Sequence, residues 1–382
     1  MSIAAFFTSL AALAAACGLP AHMERQVPPK SAITNVHVFD GTKFGQPTTV
    51  VMVGGIITNA NAFGATVVNG NRGYLIPGLI DAHCHITSCS YLTTMRQYGV
   101  TTALDMGSFP YSAVSACKAS GVTDILGSGA AGTVNGTSIS HIPGFPSDSF
   151  IPDPASAQKF VADRVAEGAD YIKVFLDPLG PDEATLAAVT KAAHQAGKIV
   201  IAHAPSYADY SEAQQAGVDI PTHAPLDRPL DGPSIANLTR GHRHIVPTLI
   251  MMQSIVNNTH APYTAYSVAA QGSVSAMYKA GVPIVVGTDA NSSPFVPANP
   301  PFGESIHDEL ALFVAAGISN VDALRGATSL AAEAFRLYDR GSIKAGLRAD
   351  LVLLQHDPTV DISNARTIQK VWVAGVETDV AI

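Results

Sequence analysis

The chain has 382 residues, of which 47% are hydrophobic and 14% charged, and its net charge is −8. A chain of this length can hold one large barrel with a satellite, or two ordinary domains, around a sizeable core. The apolar fraction excludes a disordered or fibrous protein, and the acidic balance argues against a nucleic-acid binder, which needs cationic side chains to displace phosphate counterions. Four Cys make no disulfide framework and allow at most one bridge if Cys84, between two His, is set aside.

Residues Ile3 to Cys17 form an Ala-rich apolar run that ends in Gly18-Leu19-Pro20-Ala21. The run is short of the roughly 20 apolar residues of a membrane span. It matches a secretory signal peptide over residues 1–21, although no Lys or Arg precedes it. The expectation is a secreted or extracytoplasmic protein with no membrane span. The alternative is a cytoplasmic protein whose first helix packs on the fold. Sequons at Asn135, Asn237, Asn257 and Asn291 fit the secretory route, although the last follows Asp289 closely enough for burial to block it.

Short β-branched runs follow at Ile33 to Phe39, Thr48 to Val53, Ile56 to Asn59 and Val67-Val68, separated by Gly and Asn. The same character returns at Ala349 to Leu354 and Val371 to Val373. Both ends therefore predict one small β-sandwich satellite, built from residues 31–72 and 340–382. Between them, strand-like runs end at or near His85, Asp105, Gly127, Lys173, His203, His223, Leu249 and Asp289. Helical stretches intervene, among them Ala155 to Glu167, Glu183 to Ala196, Tyr207 to Ala216 and Tyr263 to Ala280. Eight strand-then-helix units predict an α/β fold, a (β/α)8 TIM barrel over residues 73–339. A doubly wound open sheet is disfavoured, because no glycine-rich phosphate loop follows the first strand.

The chemistry gathers at strand ends. In Leu75-Ile76-Pro77-Gly78-Leu79-Ile80-Asp81-Ala82-His83-Cys84-His85-Ile86, alternation places His83 and His85 on one face as a seat for a metal ion. In Tyr171-Ile172-Lys173-Val174-Phe175, it turns Lys173 into the barrel mouth. A bare ammonium beside metal cations is repelled and costly to desolvate. Either no metal binds, or Lys173 reacts with carbon dioxide to give a carbamate, an anionic bridge between two ions. A Lys that reaches solvent or binds a substrate carboxylate is the plain alternative. Two further strands end in His203 and His223, and the last ends in Asp289. Each alone reads as a structural residue, Asp289 as a helix cap. Their shared placement at the rim where a barrel presents its active site is what singles them out. His141, in the Gly- and Ser-rich loop after the third strand, and Tyr207, shortly after His203, are substrate-contact candidates, and Asp105 is a weaker one. His22, His37, His194, His242, His244 and His356 lack such placement and read as surface or structural residues.

These residues resemble the metal-dependent amidohydrolase superfamily, and within it the imidazolonepropionase-like group that includes ochratoxinase-like and Xaa-Pro dipeptidase-like enzymes. The likeness runs from about Ile33 to Val376. It rests on the P-G-L-I-D-A-H-C-H stretch, Y-I-K-V-F, the H-A and T-H-A strand ends, G-T-D-A, and the C-terminal G-S-I-K-A-G-L-R-A-D-L-V-L-L. The resemblance implies that His83, His85 and Asp289 bind one divalent metal, that His203 and His223 bind a second, and that carboxylated Lys173 bridges them. Zinc is the default for such ligands. It further implies a hydroxide bridging the ions that attacks an amide, ester or lactone carbonyl of a small molecule, with Asp289 passing the proton to the leaving amine. A carboxypeptidase- or dipeptidase-like action fits, and a homo-oligomer is left open.

The chain departs from that group in two places. The helix after His85 begins almost at once, so the usual covering loop is missing, and Gly127 to Asp153 is the candidate replacement lid, with Ser293 to Gly303 as another wall. Pro221-Thr222 precede His223 where many relatives carry a Glu. The rival readings are a mononuclear deaminase of the same superfamily and a metal-free, non-catalytic scaffold.

Overall fold

The computed structural model describes residues 28–119, 121–378 and 380; the expected signal segment, residues 1–21, lies outside them. Five strands open the described chain: β1 (Ser31–Val38), β2 (Thr48–Val53), β3 (Ile56–Thr58), β4 (Thr66–Asn69) and β5 (Tyr74–Pro77). Six more carry the centre: β6 (Leu79–Cys84), β7 (Val100–Asp105), β8 (Asp124–Gly127), β9 (Ile172–Phe175), β10 (Val200–His203) and β11 (Ile220–Thr222). Three close the chain: β12 (Leu351–Leu354), β13 (Ile368–Val373) and β14 (Val376–Thr378).

The helices interleave with these strands. The first six are α1 (Ser90–Gln97), α2 (Tyr111–Ser115), α3 (Ala157–Ala166), α4 (Glu183–Gln195), α5 (Tyr207–Gln215) and α6 (Gly232–Arg240). They are followed by α7 (Leu249–Thr259), α8 (Gln271–Lys279), α9 (Ser305–Ala315), α10 (Asn320–Gly326) and α11 (Ser329–Ala334). A π-helical stretch, Ala265–Ala270, runs directly into α8. Short polar residues start several of them. Asp182 caps α4, Asp231 caps α6, and Ser206 with Asp209 forms a reciprocal capping box on α5.

Strands from both ends share one mixed sheet, in the order β14-β13-β12-β5-β1-β2-β3, with β4 also beside β1. β1 bends at Asn35, whose φ is 56°. Its first half pairs with β2 and β4, its second half with β5. Ile33, Val36, Met52, Leu75, Leu351 and Trp372 from the two halves pack into a common apolar cluster. Antiparallel pairing of β5 with β12 joins the two ends of the chain. Below this sheet, Asp124 accepts from Arg340 at 2.9 Å and Arg348 at 2.5 Å, pinning the C-terminal segment to β8.

The centre is a TIM-barrel-like α/β arrangement. β6-β7-β8 and β9-β10-β11 are parallel triplets. Single parallel bridges continue the ring, Gly132 to Val174, Thr222 to Val246, Ile245 to Ile284 and Cys84 to Ala290. Ile80, Leu104, Tyr171, Ile201, Ile220, Val246 and Val285 form an interior apolar cluster, closed by Ala331 and Phe335. Such burial stabilises by about 25 cal/mol per Å² of apolar surface, and these residues precede the polar strand ends, so the site rests on a dry floor.

Two expected strands are not regular. The segments ending at Leu249 and Asp289 hold isolated bridges only. Thr248 takes a left-handed conformation and Leu249 opens α7. His83 O accepts both Thr288 N and Asp289 N, which interrupts the last ladder. That close approach needs Gly287, where a Cβ would lie 2.8 Å from His83 N and 2.5 Å from Val246 Cγ1.

Candidate metal centre

His83, His203 and His223 converge at one rim. Ring centroids lie 4.8 Å apart for His83 and His223 and 4.3 Å for His203 and His223. His85 stands 5.5 Å from His83 and is the most open of the four. Asp289 sits among them, its Oδ1 3.2 Å from His85 Nε2 and 3.6 Å from His83 Nε2, and its Oδ2 3.9 Å from His223 Nδ1. One donor atom from each of His83, His223 and Asp289 falls within 4.8 Å of the others.

Burial holds His83, His203 and His223 well below the usual imidazole pKa, helped by Lys173 and by one another. They are neutral near pH 7, the form that donates a lone pair to a metal. His83 Nδ1 and His223 Nε2 are buried with no hydrogen-bond partner among the described residues. An unpaired buried polar atom is costly, and two of them in a cluster of neutral imidazoles beside a carboxylate are the donor chemistry a divalent ion satisfies. The residues present therefore fit a metal.

Lys173 is 2% exposed, with Nζ donating at 3.1 Å to Oγ1 of Thr222, the residue before His223. Desolvation lowers its pKa to about 7, against the pull of Asp289 and Asp105. Phe175, two residues on, stacks on His203 with centroids 3.8 Å apart. Period-two alternation places Lys173 and Phe175 on the same side of β9.

The backbone at the rim is unusual. His223, Thr248 and Asp289 all have positive φ, 72°, 47° and 57°. Non-glycine residues rarely adopt this region, and such outliers cluster at functional sites. At His223 the turn lets two successive side chains face inward, Thr222 toward Lys173 and His223 toward Asp289.

Several groups with a part in the site drew no role from the sequence. Asp81 is fully buried and accepts from Thr288 Oγ1 (2.7 Å), Thr288 N (3.0 Å) and His83 N (3.2 Å), tying β6 to the residue before Asp289. Burial raises its pKa to about 6. Thr248 Oγ1 meets His223 Nδ1 at 2.8 Å. Arg228 lies 3.7 Å over the ring of Tyr207. The signal available for Asp81 was its place inside the His83 motif; for Thr248 and Arg228 there was none.

The weaker candidates separate from the cluster. Asp105 clamps the loops beside it, accepting from Ile86 N, Gly107 N and Ser108 N. Tyr207 donates its hydroxyl to Asp231 at 2.8 Å. His141 is exposed at the end of a short 3-10 turn, Ser138–His141. Its loop is held rather than loose. Thr133 pairs with Ser149 and Ile151, buried Arg164 binds Asp148 and Ser149, and Ser138 N donates to Asp177. The candidate lid reads as a fixed wall. Asn291 is buried with both side-chain polar atoms engaged, which removes that sequon as a glycan site. One disulfide, Cys89–Cys117, ties the start of α1 to the end of α2, and Cys84 is free and buried.

The amidohydrolase family profile matches residues 74–378. An uncharacterized protein of Mycobacterium tuberculosis is 26% identical over 363 residues, covering 86% of this chain and 92% of its own. Among solved structures, a Xaa-Pro dipeptidase with bound methionine superposes with a TM-score of 0.79 at 20% identity, over 92% of this chain and 100% of that one. Ochratoxinase of A. niger superposes with a TM-score of 0.76 at 17% identity, over 92% and 95%. At these identities the two structures speak for the fold. The family match spans most of the chain and includes every candidate ligand, and on that evidence the chain belongs to the amidohydrolase family.

Proposed function

We propose that the protein is a binuclear metal-dependent hydrolase acting on an amide, ester or lactone carbonyl of a small molecule. What carries this reading is the convergence of four imidazoles and Asp289 beside buried Lys173, with one donor atom from each of His83, His223 and Asp289 within 4.8 Å of the others. In this reading His83, His85 and Asp289 hold one ion and His203 and His223 the other. Lys173, if carboxylated by carbon dioxide, would supply anionic oxygen ligands to them. Zinc suits the donor set. Bound ions of this kind bring the pKa of water from about 15.7 toward 7 and polarise a carbonyl.

The chain's own groups do the rest. Asp289 is placed to take a proton from the attacking water and return it to a leaving amine. Asp81, through Thr288 and His83 N, fixes the backbone on both sides of that proton path. Phe175 covers one face of His203 and keeps water from it. His141 and Tyr207 remain the proposed substrate contacts. Action on a carbon–nitrogen bond, in an N-acyl amino acid, dipeptide or cyclic amide, accords with the likeness to a Xaa-Pro dipeptidase. The β-sandwich satellite over 31–72 and 340–382 and the eight-stranded barrel over 73–339 belong to the same proposal. So does an extracytoplasmic location, which the Cys89–Cys117 bridge favours because disulfides persist in oxidising compartments.

The test is metal analysis of protein prepared with zinc and bicarbonate, alongside a screen of N-acyl amino acids, dipeptides and lactones. Two equivalents per chain are expected, with Lys173→Ala losing both the second equivalent and turnover. A variant that keeps two equivalents removes the bridge, and a wild-type protein that takes up none removes the hydrolase. A mononuclear deaminase is the second reading, favoured by the compact His83, His223 and Asp289 group. It requires one equivalent in both proteins.

A further inference from the structure

The imidazole of His223 makes one side-chain hydrogen bond, to the hydroxyl of Thr248. Its Nδ1 lies 2.8 Å from Thr248 Oγ1, while its Nε2 is buried with no partner among the described residues. Thr248 is a β-branched residue in a left-handed conformation, with φ 47° and ψ 50°. That conformation is unfavourable for such a residue, so something must hold it there. The next two amides show what does. Leu249 N donates to Glu309 Oε1 at 2.8 Å and Ile250 N to Glu309 Oε2 at 2.7 Å. Glu309 comes from α9, sixty residues further along, and is fully buried. Both its oxygens are spent on the first turn of α7, where peptide N–H groups otherwise have no partner. Thr248 O in turn accepts from Met252 N at 3.0 Å, so the left-handed residue is locked on both sides.

We infer that Thr248 is a positioning residue for the metal centre, and that Glu309 positions Thr248. The hydroxyl of Thr248 accepts the Nδ1 proton of His223, which selects the tautomer whose lone pair is on Nε2, the buried nitrogen left without a hydrogen-bond partner among the described residues. Glu309 fixes the turn from which the hydroxyl is delivered. A ligating imidazole is commonly held through its other ring nitrogen in this way, and loss of such a partner costs roughly 10- to 100-fold in metal affinity. The inference rests on the reading of the site as a metal centre.

The full-length protein tests it by zinc titration and by the visible spectrum of the cobalt-loaded form. Thr248→Val keeps the shape and the β-branch but not the hydroxyl. It is expected to weaken the ion held by His223 by roughly 10- to 100-fold and to change the cobalt spectrum, while Thr248→Ser restores both. Glu309→Gln, which exchanges one of two acceptors for a donor, is expected to weaken the same ion by a smaller factor. Wild-type protein that binds no metal would overturn the metal-centre reading itself. Wild-type protein that binds metal, with a Thr248→Val variant of equal affinity, overturns only the role of Thr248, and equal affinity in Glu309→Gln overturns that of Glu309. If the Val variant does not fold, ¹⁵N histidine spectra of the wild-type apoprotein decide. With the His223 signal assigned by its loss in His223→Gln, protonation at Nδ1 supports the inference and protonation at Nε2 refutes it.

Discussion

His307 lies in α9, away from the metal site, buried to 4% exposure, with Nε2 donating to Tyr98 O at 3.0 Å. Its Nδ1 is buried without a partner among the described residues, and burial, aided by the Arg366 charge, lowers its pKa to about 4 from an ordinary 6.5. The sign of the resulting pH dependence follows from which state takes the proton. Below pH 6.5 the unfolded chain protonates this ring and the folded chain does not, so stability present above pH 6.5 is lost as pH falls toward 4. Each pH unit in that window costs about 1.4 kcal/mol, and between pH 7.5 and 4.5 the loss from this one residue comes to about 2.5 kcal/mol. His307→Gln keeps an N–H for Tyr98 O and removes the titration. Its stability relative to wild type should therefore improve by about 2.5 kcal/mol between those two pH values, whatever its offset at pH 7.5. The comparison with wild type cancels the buried ligand histidines, which titrate alike in both. Urea unfolding at each pH measures it, followed by circular dichroism and by the fluorescence of Trp372, the only Trp in the chain and fully buried. Coincident transitions by the two probes license the subtraction. Parallel pH profiles for the two proteins would refute the reasoning.

The Cys89–Cys117 bridge closes a loop of 28 residues, for which chain entropy gives about 3.5 kcal/mol of stabilisation. Cys89→Ser, or reduction of the wild type, should lower the melting temperature by several degrees, and an unchanged melt would deny the bridge. Asp124 is shared by Arg340 and Arg348, both largely buried, so Asp124→Ala removes one acid from each and leaves them with Asp339 and Asp350; it should cost about 1.5–3 kcal/mol in urea unfolding. A cost below about 1 kcal/mol would mean that solvent screens the pair.

Much of the site was legible because a strand delivers its last residue to a known rim, and a buried apolar run before each ligand marks that strand. His203 follows this rule as the last residue of β10, whereas His83 is next to last in β6 and Lys173 is the second residue of β9. The sharing of one mixed sheet by the two ends of the described chain was legible from their β-branched runs. What escaped was whatever depends on left-handed backbone or on distant partners. Leu249 read as a strand end, yet it opens α7; Pro247, just before the left-handed Thr248, breaks the run, but a proline there fits the edge of a strand as well as the start of a helix. Glu309 sits in α9 directly after His307 and Asp308, where the sequence does not mark it as buried, and its partners lie about sixty residues earlier. The bridge was allowed by the cysteine count, but spacing alone does not say which thiols meet. Along β6 the register with β7 shifts between Leu79 and Ile80 and again between Asp81 and Cys84, irregularities that the sequence does not announce.

A common device explains why the ligands converge without a regular strand at each one. Thr222-His223 and Thr288-Asp289 repeat the same pair, a hydroxyl followed by a donor in left-handed conformation. In an extended strand these neighbours would face opposite sides of the sheet. With the second residue turned, the hydroxyl engages a buried ionisable group, Lys173 in one case and Asp81 in the other, and the next side chain still reaches the cluster. Each turned residue costs about 1–3 kcal/mol, and each is held by a backbone bond to a neighbouring segment, His223 N to Val246 O and Asp289 N to His83 O. The strain is thus confined to the two places where ligand and anchor must leave the backbone together. The same pairing couples the two inner polar groups to the rim, so that displacing either hydroxyl should disturb the donor beside it before it disturbs the fold.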